Sequence, residues 1–187
     1  MFDHFGLLAP IYEKFIRASH PEALDELAEL AIGGPLLDVG GGTGRVSQFL
    51  IDRAQPVVIA DLSLKMLRQT QLKHDLRPVC SHSEKLPFPD DYFERVIMVD
   101  ALHHVCDQQQ TADELWRVVK PGGRIIIEEP DINRGLVKLV ALGEKIALMR
   151  SHFLSPPEIV MLFAPYPTQP VIHPDGHIVR IVIDKSP

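Results

Sequence analysis

The chain is short of several things, and each shortage removes a class of function. It has no surplus of base. Nineteen Lys and Arg stand against 25 Asp and Glu, a net charge of −6, and no stretch concentrates the bases. Without a basic block the chain lacks the electrostatic footprint of a nucleic-acid binder, so nucleic acid is not expected as a partner. Cysteine is scarce: Cys80 and Cys106 are the two in 187 residues. They lie too far apart for metal-ligand spacing and read as reduced thiols of a cytoplasmic protein. No apolar run reaches the length that crosses a bilayer, so no membrane span is expected. The start, Met-Phe-Asp-His-Phe, has no basic n-region, so no signal peptide is expected. Internal repeats and low-complexity tracts are lacking too. What remains is a chain that is 45% hydrophobic. That is ordinary for a globular protein, and the length suits one α/β domain with a full core.

The richest stretch is Leu36 to Gly44, Leu-Leu-Asp-Val-Gly-Gly-Gly-Thr-Gly. A short apolar run ends in an acid, then Gly40, Gly42 and Gly44 alternate around Gly41 and Thr43. Glycine permits positive φ and close approach of a ligand to the backbone. A helix expected to start there offers free N–H groups. A dinucleotide loop has the spacing G-x-G-x-x-G. Counted from Gly40, its third glycine would fall on Arg45, so that fingerprint fails. Asp38 at the loop start suits a cationic, amino-acid-like ligand end and would repel a pyrophosphate. A nicotinamide-dependent oxidoreductase is therefore disfavoured.

From Leu36 onward strands and helices alternate. Strands are expected at Leu36–Val39, Val57–Ala60, Pro78–Ser81, Arg95–Val99 and Arg124–Glu128. Helices are expected at Arg45–Arg53, Leu64–His74, Gln109–Val119, Leu136–Arg150 and Pro156–Phe163. The strands are continuous apolar runs, as when helices cover both faces. Val171–His173 and His177–Ile183, with Asp175-Gly176 between them, give a hairpin. The fold expected is α/β: a doubly wound, mostly parallel seven-stranded sheet with helices on both faces and an antiparallel edge hairpin. A single domain is expected over 1–187. It divides into N-terminal helices over 1–32, a cofactor-binding core over 36–129, and a substrate-side helix with the edge hairpin over 130–187. Phe5, Leu8, Ile11, Tyr12 and Phe15 share one side of a first helix, either packed on the core or forming a lid over the pocket.

In such sheets ligands bind outside the carboxyl ends of the strands. After the second strand stands Asp61, 17 residues beyond Gly44. Its carboxylate can accept from both hydroxyls of a ribose. The competing role is a helix N-cap, which Ser63 fills as well or better.

Five segments together resemble the class I S-adenosylmethionine-dependent methyltransferases. Asp38 to Gly44 resembles the family's first motif, Asp-x-Gly-x-Gly-x-Gly, and Asp61-Leu62-Ser63-x-x-Met66-Leu67 its second. Glu84-Lys85-Leu86-Pro87-Phe88, Asp100-Ala101-Leu102-His103-His104 and Lys120-Pro121-Gly122-Gly123 follow in the family's order. The resemblance covers residues 36–129 and implies a Rossmann-like methyltransferase fold with S-adenosyl-L-methionine as cofactor. It implies that Asp38, Gly40, Gly42, Thr43 and Gly44 hold the methionine half, lined by Asp100 and Ala101. It puts Leu62 or Met66 against the adenine. Where the family commonly has Asp-Ala at the adenine edge, this chain has His82-Ser83. A neutral His82 can accept through one ring nitrogen, and Ser83 keeps its backbone N–H. The opening Phe2-Asp3-His4-Phe5 and Ala9-Pro10-Ile11-Tyr12 is similar to ubiquinone/menaquinone-biosynthesis C-methyltransferases, although region 130–170 departs from them.

The expected function is transfer of a methyl group from the sulfonium to a small-molecule acceptor by direct displacement. His104, His103 and Tyr12 are the candidate bases. The acceptor would sit under Tyr12, Phe153 and Phe163. Asp100 and His103 lack a third ligand, so no metal is expected. A homodimer is compatible with this reading. The alternative is a non-catalytic, methyltransferase-like protein that binds the cofactor or a partner.

Overall fold

The computed structural model describes residues 21–30, 34–134 and 151–187. The helix expected over Phe2 to Ile16, which carries Tyr12, lies outside the described residues, as does the one expected over Leu136 to Arg150. The described elements are α1 (Pro21–Ala28), β1 (Leu36–Val39), β2 (Val57–Asp61), α2 (Leu64–Thr70), β3 (Leu76–Cys80) and β4 (Phe93–Val99). They continue with α3 (Gln108–Val118), β5 (Val119–Pro130), α4 (Pro156–Leu162), β6 (Val171–Asp175) and β7 (Ile178–Asp184). Two 3₁₀ turns, Ser47–Phe49 and Leu102–His104, lie beyond β1 and β4.

All seven strands form one sheet in the order β3-β2-β1-β4-β5-β7-β6. The first five pair in parallel, β7 runs antiparallel to β5, and β6 antiparallel to β7. The expected fold class is therefore the one found. Chain order reverses at β1, flanked by β2 on one side and β4 on the other, and a crevice opens above such a reversal. The hairpin turn is one residue later than expected: Asp175 pairs with Ile178, leaving Gly176 and His177 in the loop. Gly176 at φ +61 supplies the positive first position of a tight hairpin turn.

Burial explains the two layers. Leu37, Val39, Val96, Met98, Ile125 and Ile127 face α3 and α4 through Leu115, Val118, Ile159 and Phe163. The alternate residues Leu36, Ile97 and Ile126 face Leu24 and Ala28 of α1 and the turn residues Val46, Leu50 and Ala54. Two arginines from the sheet secure α1. Arg95 Nε and Nη2 donate to the carbonyls of Ala28 and Glu29, and Arg124 Nη1 to that of Leu27. Carbonyls at a helix end have no partner within the helix, and cations there also match the dipole.

One element differs from expectation. Arg45–Arg53 is a run of turns around the 3₁₀ segment Ser47–Phe49, not an α-helix. Most of its backbone bonds span three residues: Phe49 N to Val46 O, Leu50 N to Ser47 O and Arg53 N to Leu50 O. Side chains compete with the helical ladder here. Gln48 Nε2 donates to Arg45 O at 2.8 Å, and the Ser47 hydroxyl turns inward to Asp38. At β5 the Lys-Pro-Gly-Gly segment lies inside the strand as an irregularity. Phe93 pairs with Val119 and Arg95 with Arg124, so the residues between bulge, with Gly122 at φ +76.

Candidate active site

The turn after β1 is built on glycines with two different duties. A Cβ at Gly40 would come within 2.5 Å of the Ala101 side chain, and one at Gly44 within 2.6 Å of Leu76, so these two allow close packing. At Gly42, φ +55, the nearest atom to an added Cβ is Asp61 Oδ2 at 3.9 Å. Gly42 therefore borders open space and presents bare backbone to it. The turn is braced from below: Gly40 N donates to Ala60 O at 2.7 Å and Thr70 Oγ1 to Gly42 O at 2.8 Å. Thr43 is buried within it.

Asp38, the third residue of β1, is 1% exposed. Its Oδ2 accepts from Ser47 Oγ at 2.5 Å, while buried Oδ1 finds no hydrogen-bond partner among the described residues. Burial pushes its carboxyl up to about 6, against the Ser47 hydroxyl and the Arg45 charge. Arg45 is itself buried, with Nη2 3.6 Å from Asp100 Oδ2. The residue that breaks the dinucleotide spacing is thus a cation set among the site's acids.

Asp61, at the end of β2, joins the elements around it. Its Oδ2 accepts from Gly42 N at 2.9 Å and its Oδ1 from Ser63 N at 2.7 Å. Ser63 is the N-cap of α2, the role weighed against Asp61 from sequence. A carboxylate offers about four acceptor positions, so this clamp and a grip on sugar hydroxyls are compatible. Leu62 beside it is 51% exposed, whereas Met66 is 3% exposed inside α2. Leu62 is thus the apolar side chain at the crevice surface.

The loop after β3 is latched to α3. Glu84 Oε1 accepts from Cys106 N and Asp107 N at 3.0 and 3.3 Å. Burial raises its pKa, but these and other hydrogen bonds outweigh it and hold the carboxyl below its usual range. Glu114 accepts from Leu86 N at 2.6 Å, and Arg117 Nη2 donates to Leu86 O at 3.0 Å. Ser83 Oγ lies 3.2 Å from Thr111 Oγ1, turned toward α3. His82 is exposed, its Nδ1 3.9 Å from Glu84.

Beyond β4, Asp100 takes φ +57, a conformation costing a non-glycine residue on the order of 1–3 kcal/mol. Asp100 N donates to Glu128 O at 2.8 Å. The next two amides, Ala101 N and Leu102 N, both donate to Glu129 Oε1. His103 is 2% exposed, with Nδ1 2.5 Å from Glu129 Oε2 and its ring stacked on Phe153. His104 Nδ1 lies 3.3 Å from Ser151 Oγ. Burial, then the neighbouring His103, pushes the His104 imidazole down to about 3, so it stays neutral and weakly basic. Tyr12 lies outside the described residues. Among the described residues no cluster of three His, Cys, Asp or Glu could hold a metal ion.

The crevice above β1, β2 and β4 thus joins a glycine turn, two acids and an aromatic-lined histidine turn. A methyltransferase-domain family model matches residues 37–127, the segment that supplies the glycine turn, the acids and the two histidines. Residues 37–127 thus match a methyltransferase domain. The chain is 35% identical over 108 residues to the ubiquinone/menaquinone biosynthesis C-methyltransferase UbiE of Vibrio parahaemolyticus, covering 52% of this chain and 41% of that protein. It spans about two fifths of the length of the curated relatives it matches. In fold, the chain is similar to one solved in the complex between the Haloferax volcanii Trm112 methyltransferase activator and a methyltransferase, at TM-score 0.80, 16% identity and full coverage of both chains. It is also similar to geranyl diphosphate C-methyltransferase of Streptomyces coelicolor, solved with S-adenosyl-L-homocysteine. There the TM-score is 0.72 at 18% identity, covering 88% of this chain and 78% of that one.

The residues of the methyltransferase domain fit the family's cofactor, S-adenosylmethionine. The orphaned Asp38 Oδ1 calls for a donor, Gly42 opens the backbone, and the Asp61 carboxylate is held in place by two amides. Sequence reasoning missed Ser47, Thr70 and Glu129, and gave Arg45 no role in the site. Only Glu129 left a signal: it and Glu128 are acids at the end of an otherwise apolar strand run, Ile125 to Ile127.

Proposed function

We propose that this protein is an S-adenosylmethionine-dependent methyltransferase that moves a methyl group to a small-molecule acceptor by direct displacement. The observation that carries the reading is the Asp61 clamp, which joins the glycine turn to α2 at the sheet's crevice. The cofactor, when bound, supplies an electrophilic methyl on a sulfonium, so the chain's work is binding, alignment and exclusion of water. Asp61 grips the ribose hydroxyls. Asp38 takes the ammonium end with Oδ1, beside Gly40, Thr43 and Gly44, and Asp100 and Ala101 line the same half. Leu62 lies on the adenine face, with Met66 supporting it from inside α2. Ser83 N and His82 meet the adenine edge.

For an acceptor that needs a base, His103 is the better of the two histidines. His104 is held neutral by burial, whereas His103 has a carboxylate behind it. Tyr12 is the third candidate base. The shared sequence with C-methyltransferases of quinone biosynthesis supports a small organic acceptor. No helix among the described residues is long and apolar enough to cross a membrane. A cytoplasmic location, a homodimer and no nucleic-acid partner complete the reading.

Isothermal titration with S-adenosylhomocysteine tests it. Asp61→Asn removes the charge that two amides and two hydroxyls share. Affinity should fall on the order of 100-fold, the equivalent of one or two charged hydrogen bonds. The melting temperature should drop by a few degrees, because the one amide oxygen of Asn can accept from only one of Gly42 N and Ser63 N while its NH₂ faces the other. Equal affinity in variant and wild type would remove Asp61 from the site. Absence of binding by the wild type would end the methyltransferase reading.

A further inference from the structure

We propose that Glu129 is the positioning residue of this site, fixing both the turn after β4 and the tautomer of His103; this rests on the methyltransferase reading above. One carboxylate from the end of β5 meets three donors. Its Oε1 accepts from Ala101 N at 3.0 Å and Leu102 N at 2.7 Å, and its Oε2 faces His103 Nδ1 at 2.5 Å. Glu129 is 3% exposed and His103 2% exposed. The neighbouring Glu128 is engaged separately, with Arg180 at 2.6 Å on the opposite face of the sheet. Glu129 therefore serves the histidine turn.

The two amide contacts have only one polarity, because a backbone N–H donates. They make Oε1 an acceptor of two amides and leave Oε2 to face the ring. The proton of the third contact then lies on Nδ1, and the ring carries its lone pair on Nε2. The ring is also held against rotation. It stacks on Phe153 with centroids 4.2 Å apart at 13° and lies 3.9 Å from the His104 ring. Its backbone carbonyl accepts from His152 N at 2.7 Å. So held, His103 takes a proton or hydrogen bond through Nε2 alone. The imidazolium that results would face the Glu129 carboxylate directly, whereas the His104 ring has the Ser151 hydroxyl beside it. The same carboxylate keeps Ala101 in the turn that begins with the strained Asp100. The cofactor wall and the base are thus set by one side chain.

Glu129→Gln separates this role from a purely structural one. Its amide oxygen can still accept from Ala101 N and Leu102 N, so the turn survives. Its NH₂ then faces Nδ1 and donates, which forces the ring proton to Nε2. Nitrogen-15 spectra of the histidine side chains, with His103 assigned through its loss in His103→Asn, read the tautomer directly. The wild type should be protonated at Nδ1 and Glu129→Gln at Nε2. The affinity for S-adenosylhomocysteine should be unchanged and the melting temperature only slightly lower. A wild-type ring protonated at Nε2, or a tautomer that ignores the substitution, would overturn the proposal. The wild-type spectrum decides by itself if the variant does not fold. A wild type that binds no S-adenosylhomocysteine would sink the methyltransferase reading instead and leave the tautomer result readable.

Discussion

Burial of the Asp38 carboxyl opposes its ionisation, and the Ser47 hydroxyl and the Arg45 charge only partly restore it. The folded value of about 6 lies above the unfolded 3.8, so the folded state holds the proton more tightly. Its contribution to stability is fully present below pH 3.8 and is lost as pH rises through about 6. Two pKa units correspond to roughly 3 kcal/mol. Asp38→Asn keeps the shape and can still accept from Ser47, but carries no charge. Melted side by side, the variant should gain on the wild type by several degrees between pH 4 and pH 7.5. Its affinity for S-adenosylhomocysteine should drop increasingly below the wild type's over the same range, because the wild-type carboxyl ionises there and Asn offers the ammonium no charge. A gap in melting temperature that is constant with pH would mean that Asp38 is ionised throughout. At this scale the sequence discloses the acids, since Asp38, Asp61 and Asp100 each follow an apolar run. It hides Ser47 and Glu129, which matter through contacts nine and 26 positions away. Spacing along a chain says little about which side chains meet across a sheet.

Among elements, α3 does the most to hold the site's loops in place. Its inner face, Ala112, Leu115 and Val118, lies in the core, and its Glu114 and Arg117 hold the loop after β3. Leu115→Ala should cost about 2–5 kcal/mol, the range for a fully buried leucine. Leu72→Ala, at a site 75% exposed, should stay within about 0.5 kcal/mol. Urea titrations of the two variants measure both, and similar losses would mean that the core is not where burial puts it. The strands were legible because β2 and the end of β4 are short continuous buried runs, as expected of a sheet covered on both faces. The segment after the glycine turn was misread for a physical reason. Val46, Leu50 and Ala54 repeat every four residues and are all buried, as in a helix. Turns with three-residue bonds bury the same residues, so periodicity alone cannot separate the two. The irregular Lys120–Gly123 segment was readable as a turn but not as a bulge within β5. Its register depends on β4 across the gap.

At the scale of the whole molecule, the site belongs to one end of the sheet and to three strands. Loops after β1, β2 and β4 converge there, while the β6–β7 hairpin closes the far edge with its turn at Gly176 and His177. A ligand held by Asp38, Asp61 and Asp100 therefore bridges the loops beyond three neighbouring, paired strands. Hydrogen exchange can read that geometry without knowledge of the acceptor. At about 100 times the dissociation constant, S-adenosylhomocysteine stabilises the native state by roughly 2.7 kcal/mol. Amides that exchange only through global unfolding should then slow up to about 100-fold in every strand. Amides that open locally should divide by position. Those at 40–44, 61–63 and 100–103 should slow as well, because their openings break ligand contacts. Those at 175–178 should keep their rates, since the hairpin tip opens without disturbing the crevice. Protection of the tip with none at the glycine turn would place the ligand on the wrong edge of the sheet, and the assigned crevice would have to be given up.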